Sequence, residues 1–138
     1  RRIGAIVLFN RFYAPDINLE KMEIISSHLF SSPAEIALPL RWVGMLSPHV
    51  KCDLAASTGI HDGHGVIKCL LVGAKGVQVA TTLYKNGPDH IGKMLEQIET
   101  WMKAHHFTSL QDFSGKLNQV RIKNPAHYER SQFMKYFT

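Results

Sequence analysis

An α/β architecture built on parallel strands is what this sequence predicts, on three observations. Short apolar runs alternate with segments of helical periodicity. Two consecutive strand-like runs, residues 50–56 and 76–80, each lead into a short loop of small and hydroxylated residues. Each loop then gives way to a helix start. Alternation of this kind implies parallel pairing with right-handed crossovers. It carries both loops to the same end of one sheet.

Taken in order, residues 4–9 form a continuous apolar run, as expected of a strand covered on both faces. The run ends in Asn10-Arg11-Phe12-Tyr13, and Asn10 is equally suited to ligand contact and to satisfying a turn. Ala14-Pro15-Asp16 breaks the chain, and residues 22–25 read as a short excursion strand. Ser32-Pro33-Ala34-Glu35 is a helix start: Ser32 as N-cap, Pro33 in the first turn, Glu35 closing a capping box. That helix is expected to run to Leu46 on Ile36, Leu40 and Val43, with Pro39 bending it or leaving a bond unmade.

Residues 50–56 are the next strand, and Lys51 and Asp53 expose its first half to water. Asp62 caps a helix burying Val66, Ile67, Leu70 and Leu71, which Gly73 ends in a left-handed conformation. Residues 76–80 are the third strand. Pro88 opens a helix whose Ile91, Met94, Leu95, Ile98 and Trp101 recur at helical spacing, a packing stripe. His105 and His106 suit its C-terminus, where a positive ring opposes the dipole. Ser109 caps a short helix carrying Leu110, Phe113 and Leu117, with Asp112 as capping partner. Beyond Asn118 the pattern fades, leaving residues 119–138 as a tail or a packing arm.

The chain has 138 residues, 45% of them hydrophobic, enough for one core. The formal charge is +5 and the pI about 9.4. The basic residues are scattered, with a mild excess after Lys116 (Arg121, Lys123, Arg130, Lys135), and no aromatic-and-basic ladder marks a nucleic-acid surface. There is no long apolar span and no signal peptide, so no membrane partner is expected. Cys52 and Cys69 lack metal-ligand spacing and read as free thiols of a reducing, cytoplasmic compartment. Arg1-Arg2 opens directly into a core strand, as in a piece of a longer protein. Three strands would leave open edges, so association between copies is expected.

The chemistry is concentrated in Ser57-Thr58-Gly59 and Ala80-Thr81-Thr82. Short residues expose backbone N–H groups and hydroxyls beside helix N-termini, which suits a phosphate. An ordinary tight turn would also explain Thr-Gly, but two such loops on consecutive strands favour the anion site. His61 and His64 lack the further ligands a metal would need. No Ser–His–Asp or Cys–His arrangement follows from spacing.

These same residues carry a resemblance. Ser57-Thr58-Gly59-Ile60, Leu71-Val72-Gly73-Ala74-Lys75, the run from Val77-Gln78-Val79-Ala80-Thr81-Thr82 to Gly87-Pro88, and Phe107-Thr108-Ser109-Leu110-Gln111-Asp112-Phe113-Ser114-Gly115-Lys116-Leu117 resemble the C-terminal third of dihydroorotate dehydrogenases, chiefly the cytosolic, fumarate-using class. The resemblance implies the C-terminal part of a (β/α)8 TIM barrel, residues 1–118, with FMN at its C-terminal face. It implies oxidation of dihydroorotate to orotate in pyrimidine biosynthesis. Ser57, Thr58, Gly59, Ala80 and Thr81 would hold the FMN phosphate, and Asn10 would contact substrate. The family's catalytic base and flavin-contacting lysines lie upstream of the matching region, so no catalytic residue is assigned and the chain alone is expected to be inactive. The family usually has glycine where Ser57, Thr58 and Ala80 stand, and a β-branched Thr58 at positive φ is an outlier. Either the loop takes another path or its hydroxyls replace lost amide contacts. Arg11 replaces a small hydroxyl residue; it could bind a carboxylate or block orotate. Another phosphate-handling barrel enzyme, such as an isomerase or aldolase, and a non-catalytic binding module are the alternatives.

Overall fold

A computed structural model gives the structure of the protein and describes residues 3–26 and 29–129. Arg1-Arg2 and residues 130–138, which include Arg130 and Lys135, lie outside the described residues. The central sheet holds β1 (Ala5–Leu8), β4 (Asp53–Ser57) and β5 (Gly76–Gln78), in the order β1-β4-β5 and all parallel. β1 sets Ala5 against Asp53 and Leu8 against Ala56; β5 sets Gln78 against Ser57. The α/β class with parallel strands and flanking helices is therefore as expected, and the arrangement is that of part of a barrel.

β1 is not covered on both faces. Only Leu8 is buried, while Ile6 is 38% and Val7 42% exposed, and among the described residues β4 is the one strand that pairs with β1. The Ala14-Pro15-Asp16 break is also a strand, β2 (Pro15–Asn18), which pairs antiparallel with β3 (Glu23–Ser26). Proline as the first residue of an edge strand forfeits no ladder bond.

The capped start at Ser32 opens a 3-10 turn (Pro33–Ile36), which passes into α1 (Ala37–Leu46). Glu35 accepts the Ser32 N–H, closing the box. Pro39 falls in the first turn of α1 and is buried. There a missing N–H costs little, and the helix runs through it. Strand β4 begins later than expected because the last turn of α1 reaches onward: Val50 N–H bonds to Leu46 O at 3.1 Å.

α2 (Gly63–Leu71) starts at Asp62, whose carboxylate accepts the Gly65 N–H at 2.8 Å. Gly73 follows at φ 112°, the left-handed stop expected. The loop after β5 contains a helix that periodicity misses, α3 (Thr81–Asn86), ended by Gly87 at φ 80°. Its six residues are too short for an apolar stripe. α4 (His90–Ala104) therefore starts two residues beyond Pro88. Its stripe is only partly core: Met94 is buried, Ile98 and Trp101 are half-buried, and Ile91 and Leu95 stay exposed beside an apolar gap between α2, β5 and α4. His105 caps α4, its Nδ1 2.9 Å from Trp101 O.

Two cores result. One lies between the sheet and α1, centred on Val43, Leu54, Ala56 and Cys69. The other gathers Ile67, Leu70 and Phe113 under Trp101 and Phe107, with Trp101 edge-on to Phe113 at 5.0 Å. The Ser109 start makes only a 3-10 turn (Leu110–Asp112), leaving Leu110 and Leu117 exposed. The chain after it straps α2: Gly115 and Leu117 N–H groups bond to Leu70 O and Leu71 O at 2.9 and 2.8 Å. These are carbonyls that a helix end cannot satisfy internally. α5 (Ala126–Glu129) then returns to α1, and the Tyr128 hydroxyl donates to Leu117 O.

Candidate functional site

Because β1, β4 and β5 are parallel, their C-terminal ends open on one side. A cavity of about 690 Å³ lies there, and its lining includes Asn10, Arg11, Ser31, Ser57, Thr58, Gly59, Ala80 and Thr81. All six residues singled out from the sequence as site residues border this one cavity. Asn10 comes from the end of β1, Ser57-Thr58-Gly59 from the end of β4, and Ala80-Thr81 from the entry to α3. Thr58 and Thr81 thus face a shared space.

The first loop keeps a glycine-like path despite its threonine. Thr58 has φ 81° and Gly59 φ 79°. A β-branched residue in that region is strained by roughly 1–3 kcal/mol. Its hydroxyl donates to Phe9 O at 2.9 Å, tying the end of β4 to the end of β1. The Thr58 hydroxyl proton is therefore spent on the protein, and the expectation that hydroxyls replace lost amide contacts to a ligand does not hold at Thr58. Gly59 is buried against the 3-10 turn, where a methyl group would lie 2.2 Å from Ile36 N. No described residue accepts the Gly59 N–H.

The second loop is organised differently. The Thr81 hydroxyl oxygen accepts from Ser31 N–H at 3.2 Å and from the Ser31 hydroxyl at 3.1 Å. Ser31 Oγ also lies 3.2 Å from His61 Nε2. The His61 carbonyl accepts from the Thr82 hydroxyl at 2.8 Å and faces His90 Nε2 at 3.0 Å. Asn86 braces Thr82 from the next turn of α3. These contacts lock the two loops together. Ser31 and His90 were missed as site residues, His61 was weighed only as a metal ligand, and Thr82 was named only as part of the second loop. The capping pattern drew attention to Ser32 rather than Ser31, and contacts across 50 residues leave no local spacing to read.

Arg11 reaches its carboxylate partner within the chain. Its Nε lies 2.8 Å from Glu35 Oε1. That hydrogen bond and the Ser32 N–H hold the Glu35 carboxyl below the usual carboxylate range. Asn10 uses its side-chain oxygen locally, accepting Arg11 N–H at 2.9 Å, the turn-satisfying role. It also borders a smaller cavity of about 300 Å³ between Arg11, Glu35, Leu38 and Ser57.

Other reactive groups are set apart. Cys69 is fully buried and burial pushes its thiol up to about 12, so it is inert in the folded protein. His64 is exposed on α2. Among the described residues no group of three or more His, Cys, Asp or Glu could hold a metal ion, and no helix is long and apolar enough to cross a membrane. Residues able to donate hydrogen bonds line the cavity: Gly59 through its backbone, Thr81 through its hydroxyl, and at the rim Arg11, which is bonded to Glu35. That donor set fits the oxygens of a phosphate.

No family model matches the chain. Curated relatives do. It is 29% identical over 91 residues to the dihydroorotate dehydrogenase A (fumarate) of Lactococcus lactis, covering 66% of this chain and 29% of the relative. It is 30% identical over 91 residues to the probable dihydroorotate dehydrogenase A (fumarate) of Enterococcus faecalis, with the same coverage. It is also 30% identical to the dihydroorotate dehydrogenase (fumarate) of Lachancea kluyveri, covering 66% of this chain and 28% of the relative. The match thus spans under a third of these relatives' length. Among solved structures, a dihydroorotate dehydrogenase from Eimeria tenella in complex with ferulenol superposes with a TM-score of 0.57 at 22% identity, over 62% of this chain and 23% of that one. The structural likeness supports the partial barrel. The curated relatives make the chain similar to part of the length of dihydroorotate dehydrogenases of the fumarate class.

Proposed function

We propose that this chain forms the phosphate-holding side of an FMN site in a dihydroorotate dehydrogenase-like flavoprotein. The complete enzyme would oxidise dihydroorotate to orotate in cytoplasmic pyrimidine biosynthesis. The observation that carries this is the single cavity bordered by both hydroxyl-rich loops, which puts residues able to donate hydrogen bonds on its wall from each. Bound FMN supplies the hydride acceptor. Gly59 N–H and the Thr81 hydroxyl would bind phosphate oxygens, and their N–H and O–H groups are preorganised by the links between the loops. Thr58 acts indirectly, pinning the loop to the end of β1. Asn10 is the proposed substrate contact. We assign no proton-abstracting residue in this chain, which on its own is expected to hold cofactor without turnover.

The test is cofactor retention. The full chain, mixed with FMN or with riboflavin and passed through gel filtration, is expected to carry FMN and leave riboflavin behind, because the proposed contacts are to the phosphate. Equal retention of both, or of neither, would refute the assignment. The Arg11–Glu35 pair beside Asn10 favours a second reading, a barrel-derived module that binds a phosphate ligand without admitting orotate. Flavin-stimulated orotate binding would exclude that reading.

A further inference from the structure

We infer that Ser31 and His61 are positioning residues that commit the Thr81 hydroxyl to donating into the cavity, so that the site selects an anionic oxygen acceptor there. The inference rests on the phosphate reading of the cavity and adds residues outside both loops. Its basis is proton counting along one chain of contacts. Thr81 Oγ1 has two acceptor positions and one proton. Both acceptor positions are taken by Ser31, through its N–H at 3.2 Å and its hydroxyl at 3.1 Å. In this order the Thr81 proton goes elsewhere, and no other described residue accepts it. Thr81 borders the cavity.

The same count applies one step back. Ser31 is 7% exposed, and its single hydroxyl proton is used on Thr81. With Ser31 donating to Thr81, the contact between Ser31 Oγ and His61 Nε2 at 3.2 Å has the imidazole donating through Nε2–H. All protons in the series point one way, from His61 to Ser31 to Thr81 to the cavity, and such chains polarise and strengthen one another. The His61 backbone is fixed for this by the Thr82 hydroxyl and His90 on its carbonyl. The opposite order is self-consistent too: Thr81 donates to Ser31, Ser31 donates to His61, and the ring carries its proton on Nδ1. In that order Thr81 has nothing to give an anion. The tautomer of His61 therefore reports which way the chain runs.

The test uses the full chain. Long-range nitrogen–proton NMR of the neutral His61 ring, assigned against His61→Gln, is expected to find the proton on Nε2. A proton on Nδ1 overturns the inference whatever the ligand. In parallel, FMN, riboflavin and inorganic phosphate are titrated into wild type, Ser31→Ala, His61→Ala and His61→Gln. Ser31→Ala is expected to weaken FMN and phosphate by roughly tenfold or more, the low end of the scale of one hydrogen bond to a charged acceptor, and to leave riboflavin unchanged. His61→Gln, which can present an amide N–H to Ser31, is expected to restore most of what His61→Ala loses. Unchanged FMN and phosphate affinity in Ser31→Ala overturns the inference. Should wild type bind phosphate but not FMN, with the proton on Nε2, the flavin assignment falls and the donor chain stands.

Discussion

Substituting Gly59 by alanine perturbs the site through packing, and the cost follows from the structure. Gly59 has φ 79°, and Gly115 has φ 70°. Both are buried. An alanine at either position suffers the left-handed penalty, on the order of 1–2 kcal/mol. The surroundings differ. At Gly115 the nearest atoms to an added methyl group are 3.6 and 3.8 Å away, ordinary contact. At Gly59 the methyl would meet Ile36 N at 2.2 Å, Glu35 carbonyl carbon at 2.7 Å and Ile36 Cα at 2.8 Å. All three are backbone atoms, so no rotamer change relieves the clash and the 3-10 turn must move. Overpacking of this kind adds about 1–3 kcal/mol. Gly59→Ala is thus expected to cost about 2 kcal/mol more than Gly115→Ala. Urea unfolding, read as midpoint shifts at constant slope, measures the difference. Equal costs for the two variants would refute the claim that the turn is pressed against Gly59.

At Thr58, Val keeps the strained backbone and removes the hydrogen bond to Phe9 O, whereas Gly removes both. Thr58→Val is expected to destabilise by roughly 1–2 kcal/mol and Thr58→Gly by less; the reverse order in urea unfolding would contradict the pinning role. A thiol-reactive disulfide is expected to modify half-buried Cys52 in the native protein and Cys69 only on unfolding, since burial pushes the Cys69 thiol up to about 12; equal native rates would refute this. Asp112 is held at about 2 rather than the ordinary 3.8 by the Ser109 and Thr108 N–H groups. Its depressed value means that its contribution is full above about 3.8 and is lost as pH falls toward 2, so Asp112→Asn is expected to flatten the stability–pH curve in that window. The open edge of β1 is expected to promote association between copies, and a monodisperse monomer in light scattering would count against it.

Strand–helix alternation sufficed to bring Ser57–Gly59 and Ala80-Thr81 to one end of one sheet, because parallel pairing leaves no other arrangement. The Asp62 and Gly73 boundaries were legible because capping is local chemistry. β2 was illegible because Pro15 signals a break and an edge strand tolerates it. α3 was illegible because six residues carry no period. The exposure of Ile6 and Val7 could not be read from an apolar run, which reports what a strand can bury rather than what lies against it. The conflict at Thr58 was visible in the sequence, but not its resolution, since Phe9 O lies 49 positions away.

The two threonines at the strand ends are used in opposite ways. Thr58 gives its proton to Phe9 O and becomes a strut. Thr81 receives two protons from Ser31 and keeps its own. What distinguishes them is the segment running from Ser31 to Ile36. It supplies Ser31 to Thr81, the Glu35–Ile36 backbone to Gly59, and the Glu35 carboxylate to Arg11 at the end of β1. One short stretch therefore touches the ends of all three parallel strands. The capping box at Ser32 and Glu35 fixes the shape of that stretch, and Glu35 serves in the box and on Arg11 at once. A helix start that reads as local punctuation is thus the part that sets the spacing of the cavity wall. Changes at Glu35 should reach the anion site through geometry, without any contact to the ligand.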